Sequence, residues 1–429
     1  AAAGGELEAA VIRSEYGTLL LPVWYERDAQ FVPGQLAARD ATVVVHGVEE
    51  SAFAFQVSPT GIRNLPRVRV PGGIQVKLDV FDQTAAIVLT SNPALMTELE
   101  RRRAGLAEPY ARASLELAEA KLGRVAHVDA ELQALGVAQP DGADLLARAG
   151  RHVELARAAL TRTDLATVAE QSAAAMQSMR LLQRAHWETA VRNLSSPASS
   201  PHTICFQTLP DHWRMIARLG RTPPRTGEQN LLRSGDFEDF DTMVVEGWQH
   251  TQTPIDGLRA DAELHPADRG GKYALRLWAF PEAGREAPAV LTKSPVTVTS
   301  PPITVHGGQI VHVGGWVRVA TPIARTLDGV LLYDNLTGPA GALRWTDPTD
   351  GWQRFELVRE IHESGQLTIT AALSGLGEIQ FDDLQVIAHN PRLEPSVAPL
   401  QQAADDSPWS GPRRLLERFP GFGPKPEPR

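Results

Sequence analysis

Short runs in which every second residue is apolar recur through the second half of the chain, and this alternation most constrains its fold. Val311, Val313, Val317 and Val319 lie at even spacing in one such run, and glycine, proline and aspartate separate it from its neighbours. Because successive side chains of a strand point to opposite faces, a period of two predicts strands with one buried face. Many short strands joined by turns predict a β jelly roll over residues 228–388.

The first part of the chain alternates in the same way, and residues 1–93 are predicted to form an antiparallel β-sandwich. After Asn92-Pro93 the sequence becomes rich in Ala, Leu, Glu, Gln and Arg, which favour helices. Apolar residues then follow a helical spacing, so residues 94–194 are predicted to form a helical hairpin or three-helix spacer. The sequence therefore predicts a multidomain α+β chain with a β-sandwich, a helical bundle and a jelly roll.

Two further segments are defined by composition. Residues 195–227 begin with Ser195–Pro201, a stretch of Ser, Pro and Ala that predicts a flexible linker. Residues 389–429 are rich in proline and are predicted to be a largely disordered tail.

The net charge of −9 at pH 7 argues against a nucleic-acid-binding surface, which would be basic. No apolar run approaches the ~18 residues of a membrane span, so no transmembrane segment is predicted. Cys205 is the only cysteine, which excludes an internal disulfide without deciding the compartment. The first residue is alanine, and we expect the chain to be the C-terminal part of a longer polypeptide or a processed form.

Two motifs enclose the predicted jelly roll. It opens with Asn230–Glu238 (NLLRSGDFE), followed by Gly247-Trp248, and it closes with Phe381–Leu384 (FDDL). These motifs resemble those of carbohydrate-binding modules of the jelly-roll, galactose-binding-like superfamily, although Ser234 stands where Asn is usual. The resemblance covers about a third of the chain, and it implies a jelly roll that binds a polysaccharide or glycan.

The N-terminal part carries a weaker resemblance in its turns. A turn at Ser58–Gly61, a second turn at Pro71–Gly73 and the segment Phe81–Ala85 follow one another between apolar strands. This order is similar to the C-terminal β accessory domain that follows the catalytic barrel in many glycoside hydrolases. The resemblance implies a domain that packs on a barrel and rarely carries catalysis. A plain antiparallel sandwich of unknown attachment is the alternative.

Strand parity selects candidate ligand contacts in the jelly roll. Aromatic planes suit the apolar C–H face of a sugar, and polar neighbours hold the hydroxyl groups. The aromatic side chains at positions 278, 316 and 333 alternate with buried aliphatics, so we predict that they share one outer sheet face with two arginines. The predicted carbohydrate-binding residues are Trp278, Trp316, Tyr333, Arg276 and Arg318. The alternative is that these aromatics cap the sandwich without a ligand.

Three carboxylates form a second candidate site. In the family resembled, the Phe-Glu carboxylate near the start and an Asp of the last strand often hold a structural calcium ion. The corresponding residues are Glu238, Asp382 and Asp383. Ca²⁺ prefers a shell of oxygens, which backbone carbonyls would complete. The alternative is a set of solvated acids at the sheet edge.

The sequence contains no recognisable catalytic arrangement. It has no phosphate-binding glycine loop, no Cys/His metal spacing and no triad. We therefore expect the non-catalytic C-terminal part of an exported polysaccharide-active protein, with a glycoside hydrolase domain upstream. Its expected location is extracellular, periplasmic or at the cell surface. A structural protein whose jelly roll contacts protein rather than sugar is the alternative, and an exposed aromatic strip would favour sugar.

Overall fold

The computed structural model describes residues 7–24, 38–81, 84–221 and 230–390. The chain divides into two compact units between Glu188 and Thr189. The predicted fold class is confirmed, because antiparallel sheets are followed by helices and then by a β-sandwich. The predicted domain limits remain predictions, and most of the predicted tail lies outside the described residues.

The first unit begins with antiparallel sheets. One sheet has the order β1-β2-β8-β4-β5 and the other has the order β3-β7-β6. The strands are β1 (Leu7–Ser14), β2 (Gly17–Trp24), β3 (Ala38–His46), β4 (Phe53–Ser58), β5 (Gly61–Asn64), β6 (Arg67–Val70), β7 (Gly73–Phe81) and β8 (Ala86–Thr90). Both turns expected from the sequence join adjacent strands of a sheet, between β4 and β5 and between β6 and β7. Alternate residues of these strands form one apolar core.

Three helices follow, namely α1 (Pro93–Ala134), α2 (Gly142–Thr161) and α3 (Leu165–Val191). The side-chain oxygen of Asn92 accepts a hydrogen bond from the Ala94 N–H, and Pro93 occupies the first turn, where its missing donor costs nothing. One face of α3 is buried, and its residues follow a helical spacing at Val168, Ser172, Ala175, Met179 and Leu182. Within the part of the chain that the structure describes, none of the helices is long and apolar enough to cross a membrane.

The first unit also buries an ionisable pair. His186 Nε2 lies 2.8 Å from Asp129 Oδ1, and both side chains are buried. Gln133 donates to the other oxygen of Asp129. Burial lowers the pKa of His186, whereas its contact with Asp129 acts in the opposite direction. Each of these buried polar groups, one on α1 and one on α3, therefore has a hydrogen-bond partner.

The second unit contains a β-sandwich. Its strands are β9 (Gln249–Gln252), β10 (Leu258–Pro266), β11 (Tyr273–Pro281), β12 (Val296–Thr299), β13 (Ile303–Val305), β14 (Ile310–Arg318), β15 (Val330–Asp334), β16 (Leu343–Trp345), β17 (Gln353–Glu360), β18 (Gly365–Leu367), β19 (Ile369–Leu373) and β20 (Gly377–His389). The front sheet has the order β10-β11-β20-β14-β17, and the back sheet has the order β16-β15-β19-β12-β9. Every strand pair is antiparallel, and β13 pairs with β18 alone. The rings of Trp345, Phe355 and Phe381 meet edge to face in the core between the sheets.

The stretch Ser195–Pro201, predicted from its composition to be a flexible linker, is folded into capped turns, so that prediction is wrong for these residues. Three short 3-10 turns lead into helix α4 (Leu209–Arg221). Serine hydroxyls cap the turns, and the apolar face of α4 packs on Ile310 and Val358 of the front sheet. Serine and proline are common both in flexible linkers and in capped turns, so composition does not distinguish the two. Here the segment is ordered because it is buried against the sheet.

A buried ion pair connects this segment to both sheets. Arg359 of β17 donates its Nε–H to Asp334 of β15 at 2.6 Å, and both side chains are inaccessible to solvent. The same guanidinium donates to the carbonyl oxygens of Ser199 and Gly341. Because most of its donors have partners, the buried charge is compensated.

Candidate functional site

One part of the front sheet is not covered by α4, and we call it the open face. It consists of the outward side chains of β10, β11 and the first half of β20, together with the end of β14. Strand register arranges them in rows, because residues paired across an antiparallel sheet lie side by side. One row contains Glu263, Arg276, Gln380 and Arg318, and the next contains Asp261, Trp278 and Glu378.

A groove of about 440 Å³ lies along the open face. Its walls are formed by the outward residues of β10, β14 and β20 and by the loop after β10. The lining residues are His265, Pro266, Ala267, Asp268, Arg318, Ala320, Glu378 and Gln380. Carboxylate, amide and guanidinium groups thus surround a cavity large enough for a small organic ligand.

An aromatic pair lies next to this groove, because Trp278 is the cross-strand neighbour of the lining residue Glu378. The rings of Trp278 and Phe280 stack at 5.9 Å between centroids with an interplanar angle of 21°, and Phe280 is 40% exposed. Trp278 also lines a second groove of about 340 Å³ at the edge strand β10. Its Nε1 atom is buried and has no hydrogen-bond partner among the described residues. The pair therefore offers an apolar surface beside the polar side chains of the open face.

The two arginines predicted as ligand contacts do lie on the open face, but carboxylates hold both of them. Arg276 donates to Glu378 and Glu263, in each case with one bond of 2.9 Å. Arg318 donates to Asp268 at 3.0 Å. Their charges are therefore neutralised within the face.

Asp268 receives a second donor, which the sequence did not reveal. Trp352 donates its Nε1–H to Asp268 at 2.9 Å. This bond and the nearby Arg318 hold the pKa of Asp268 below its ordinary value. Trp352 and Trp248 each follow a glycine and directly precede a strand. Trp248 contacts the core ring of Phe237 edge to face at 5.3 Å, whereas Trp352 is bonded to the loop after β10.

The predicted grouping of three aromatics on one face is wrong for Tyr333. Tyr333 lies on β15, which belongs to the back sheet, and it packs with Leu331, Ala342 and Ala372. Trp278 on β11 and Trp316 on β14 do share the front sheet. Alternation places a side chain inside or outside its own sheet, but it contains no information on which sheet the strand joins.

Trp316 lies at the far end of the open face and is covered on one side. The guanidinium carbon of Arg269 is 4.1 Å from the centroid of the Trp316 ring. Arg269 also forms an ion pair with Asp383 and lies 3.4 Å from Asp382. Burial raises the pKa of Asp382 to about 6, and the neighbouring Asp383 contributes in the same direction.

The three carboxylates predicted as calcium ligands have other partners in the structure. Backbone bonds between Leu231 and Val386 and between Leu384 and Gly235 place the two motif segments side by side. The Glu238 carboxylate accepts hydrogen bonds from the Lys272 and Tyr273 backbone N–H groups, and Arg269 neutralises Asp383. Among the residues described, no group of three or more His, Cys, Asp or Glu side chains is arranged to hold a metal.

Over part of its length the chain is similar to solved modules. No family model matches the sequence, and no curated protein matches it. One similar structure is TmCBM61 in complex with β-1,4-galactotriose, at 17% identity over 37% of this chain and 98% of that module, with a TM-score of 0.25. Another is the CBM22-1 xylan-binding domain of Paenibacillus barcinonensis Xyn10C, at 15% identity over 38% and 97%, with a TM-score of 0.23. A CBM4 module matches at 14% identity over 37% and 99%, with a TM-score of 0.26. All three are carbohydrate-binding modules, and at these identities and TM-scores their ligands remain properties of those modules.

Proposed function

We propose that the open face binds a neutral glycan. The observation that carries this proposal is the stacked Trp278–Phe280 pair, in which Trp278 is half-buried and Phe280 is exposed, next to a groove lined by polar side chains. The apolar C–H face of a sugar ring stacks on an aromatic plane. The Gln380 amide can donate to or accept from the sugar hydroxyl groups, and the Glu378 carboxylate can accept hydrogen bonds from them. The site is open and shallow, which suits a segment of a chain better than an enclosed small molecule.

The charges of the open face favour a neutral ligand over an acidic one. Arg276 and Arg318 are already paired with carboxylates, so neither offers a free positive charge to a uronic acid. Asp261 and Glu263 are about half exposed beside the aromatic pair and would repel an anionic sugar. Hydroxyl groups, in contrast, can donate to these carboxylates.

The wider setting is also proposed. Glycan binding and the absence of a catalytic arrangement in the sequence suit the non-catalytic C-terminal part of an exported polysaccharide-active protein. A catalytic domain upstream and an extracellular, periplasmic or cell-surface location follow from the resemblance of both β parts to such proteins. The similar solved modules, whose names include a xylan-binding domain, support the same setting.

A structural role through protein contact is the second candidate, and one feature favours it. The short helix α5 (Phe240–Glu246) exposes three apolar side chains, of which Val245 is 86% exposed. Phe240 and Val244 lie on the same helix. Exposed apolar side chains that are grouped in this way often mark contacts with another protein.

Affinity electrophoresis distinguishes the two candidates. The protein is run through gels that contain xylan, β-1,4-galactan, hydroxyethylcellulose or polygalacturonate. We expect retention by a neutral glycan, with a dissociation constant in the micromolar to millimolar range, and none by polygalacturonate. Trp278→Ala should weaken this retention about five-fold, because a stacked ring is worth on the order of 1 kcal/mol.

Tyr333→Ala is the matched control, since Tyr333 lies on the back sheet and should not affect retention. The melting temperature of each variant is measured beside its retention. Equal losses in the two variants would move the site away from the open face. No retention of the parent protein by any of the glycans would favour protein contact instead.

A further inference from the structure

The loop between β10 and β11, residues 267–272, lies against one end of the open face and carries Arg269. The guanidinium group stacks on Trp316, with its carbon 4.1 Å from the ring centroid. The Arg269 side chain is only 21% exposed, so it is packed in place rather than extended into solvent. A sugar ring that approached this side of Trp316 would meet the guanidinium first.

Several contacts hold the loop in this position. Arg269 is paired with Asp383, and Asp268 binds both Arg318 and Trp352. At the other end of the loop, Glu238 accepts the backbone N–H groups of residues 272 and 273. The fixed ends of the loop therefore keep Arg269 over the ring.

Tight geometry at Gly271 supports the same position. Gly271 has a φ of +71°, and a Cβ atom there would lie only 1.9 Å from Oε1 of Glu238. Glycine populates positive φ without steric cost, so the loop can turn closely over the carboxylate. A larger residue would lift the loop from the open face.

Trp316 and Trp278 lie at opposite ends of the open face. They are separated by the single strand β20 and by two rows of the sheet, since Trp316 pairs with Asp382 and Trp278 pairs with Glu378. With ordinary strand spacings, the two positions are about 16 Å apart. A glycan of several sugar units that lay along the open face would span this distance.

We propose that Arg269 covers Trp316 and thereby withholds a second aromatic platform from the glycan site. This inference rests on the proposed glycan-binding function of the open face. With Arg269 in place, a glycan stacks only on the Trp278–Phe280 pair. Displacement of Arg269 extends the stacking surface to the far end of the open face, so longer glycans gain affinity while a monosaccharide does not.

The experiment measures exposure and binding separately in the full chain. Arg269→Ala removes the cover, and Arg269→Lys keeps the positive charge beside Asp382 and Asp383 if the first variant fails to fold. The proteins are labelled with 5-fluorotryptophan, and Trp316→Phe assigns the resonance of Trp316. The fluorine solvent-isotope shift between H₂O and D₂O should increase at Trp316 in both Arg269 variants.

A matched control and a binding measurement complete the design. Arg276→Ala removes another paired arginine of the open face and should leave the Trp316 resonance unchanged. Retention in xylan and β-1,4-galactan gels should correspond to about five-fold tighter binding in Arg269→Ala than in the parent. Adding Trp316→Phe to Arg269→Ala tests whether this ring carries the gain, because Phe presents a smaller surface and should reduce it.

The outcomes separate this inference from the proposed function. If the solvent-isotope shift of Trp316 is unchanged in both Arg269 variants, Arg269 does not cover the ring. If the parent is retained by a glycan gel and Arg269→Ala exposes Trp316 without binding that glycan more tightly, Trp316 is not a platform for the glycan. If the parent binds none of the glycans, the proposed function and the platform role both fail, and the fluorine shift alone decides whether Arg269 covers the ring.

Discussion

Acidification should destabilise the second unit through His212. The imidazole lies on α4, is only 2% exposed, and has its Nδ1 atom 3.1 Å from Ser200 Oγ. Burial lowers the pKa of His212 from 6.5 to about 3, and the neighbouring His202 adds to this effect. The folded protein therefore keeps this ring neutral at a pH where an unfolded chain protonates it.

The size and sign of the effect follow from the linkage of protonation to folding. Below pH 6.5 the unfolded chain binds a proton that the folded chain does not, so stability falls as the pH falls toward 3. Each pH unit in this range is worth about 1.4 kcal/mol. From pH 7 to pH 5, His212 alone should remove about 2 kcal/mol from the free energy of unfolding.

The assay is urea unfolding at pH 7 and pH 5, followed by tryptophan emission. His212→Asn places a neutral amide near the position of Nδ1. Between pH 7 and pH 5, the free energy of unfolding of this variant should fall by about 2 kcal/mol less than that of the parent. His362→Asn replaces an exposed histidine of the same unit and should keep the dependence of the parent. If His212→Asn retained the full dependence, His212 would not be the buried neutral group that the structure indicates.

Three further predictions concern the second unit. Arg359→Met leaves Asp334 buried without its cation and should cost about 3–5 kcal/mol in urea unfolding, whereas an unchanged midpoint would show that the pair is dispensable. Gly271→Ala should lower the melting temperature, because the new methyl group meets Glu238 and the residue keeps a positive φ; a neutral effect would mean that the loop moves freely. Calcium at Glu238 and one of Asp382 or Asp383 remains a prediction, and it requires a higher melting temperature in calcium than in chelator; equal temperatures would remove it.

The sequence was most informative where one local rule decides the outcome. Alternation placed Trp278 and Trp316 correctly on an outer face, because the parity of a strand depends only on neighbouring residues. The buried face of α3 followed from helical spacing for the same reason.

Long-range pairing and loop contacts account for what the sequence did not predict. Tyr333 was assigned to the wrong sheet because the pairing of β15 with β19 depends on residues far apart in the chain. Arg269 and Asp268 lie in a loop without periodicity, and no pattern marks their contacts with the open face. Burial of His186 was likewise hidden, because the sequence around it does not reveal Asp129 as its partner.

The packing of α4 on the front sheet determines where a fragment of this chain can begin. A fragment that began at Asn230, where the recognisable motif starts, would lack Met215 and Leu219 and would expose Ile310 and Val358 to solvent. A fragment cut there should aggregate on expression, whereas one that begins near residue 189 carries its own cover. The segment that folds with its apolar surface covered is thus longer than the motif at Asn230 suggests.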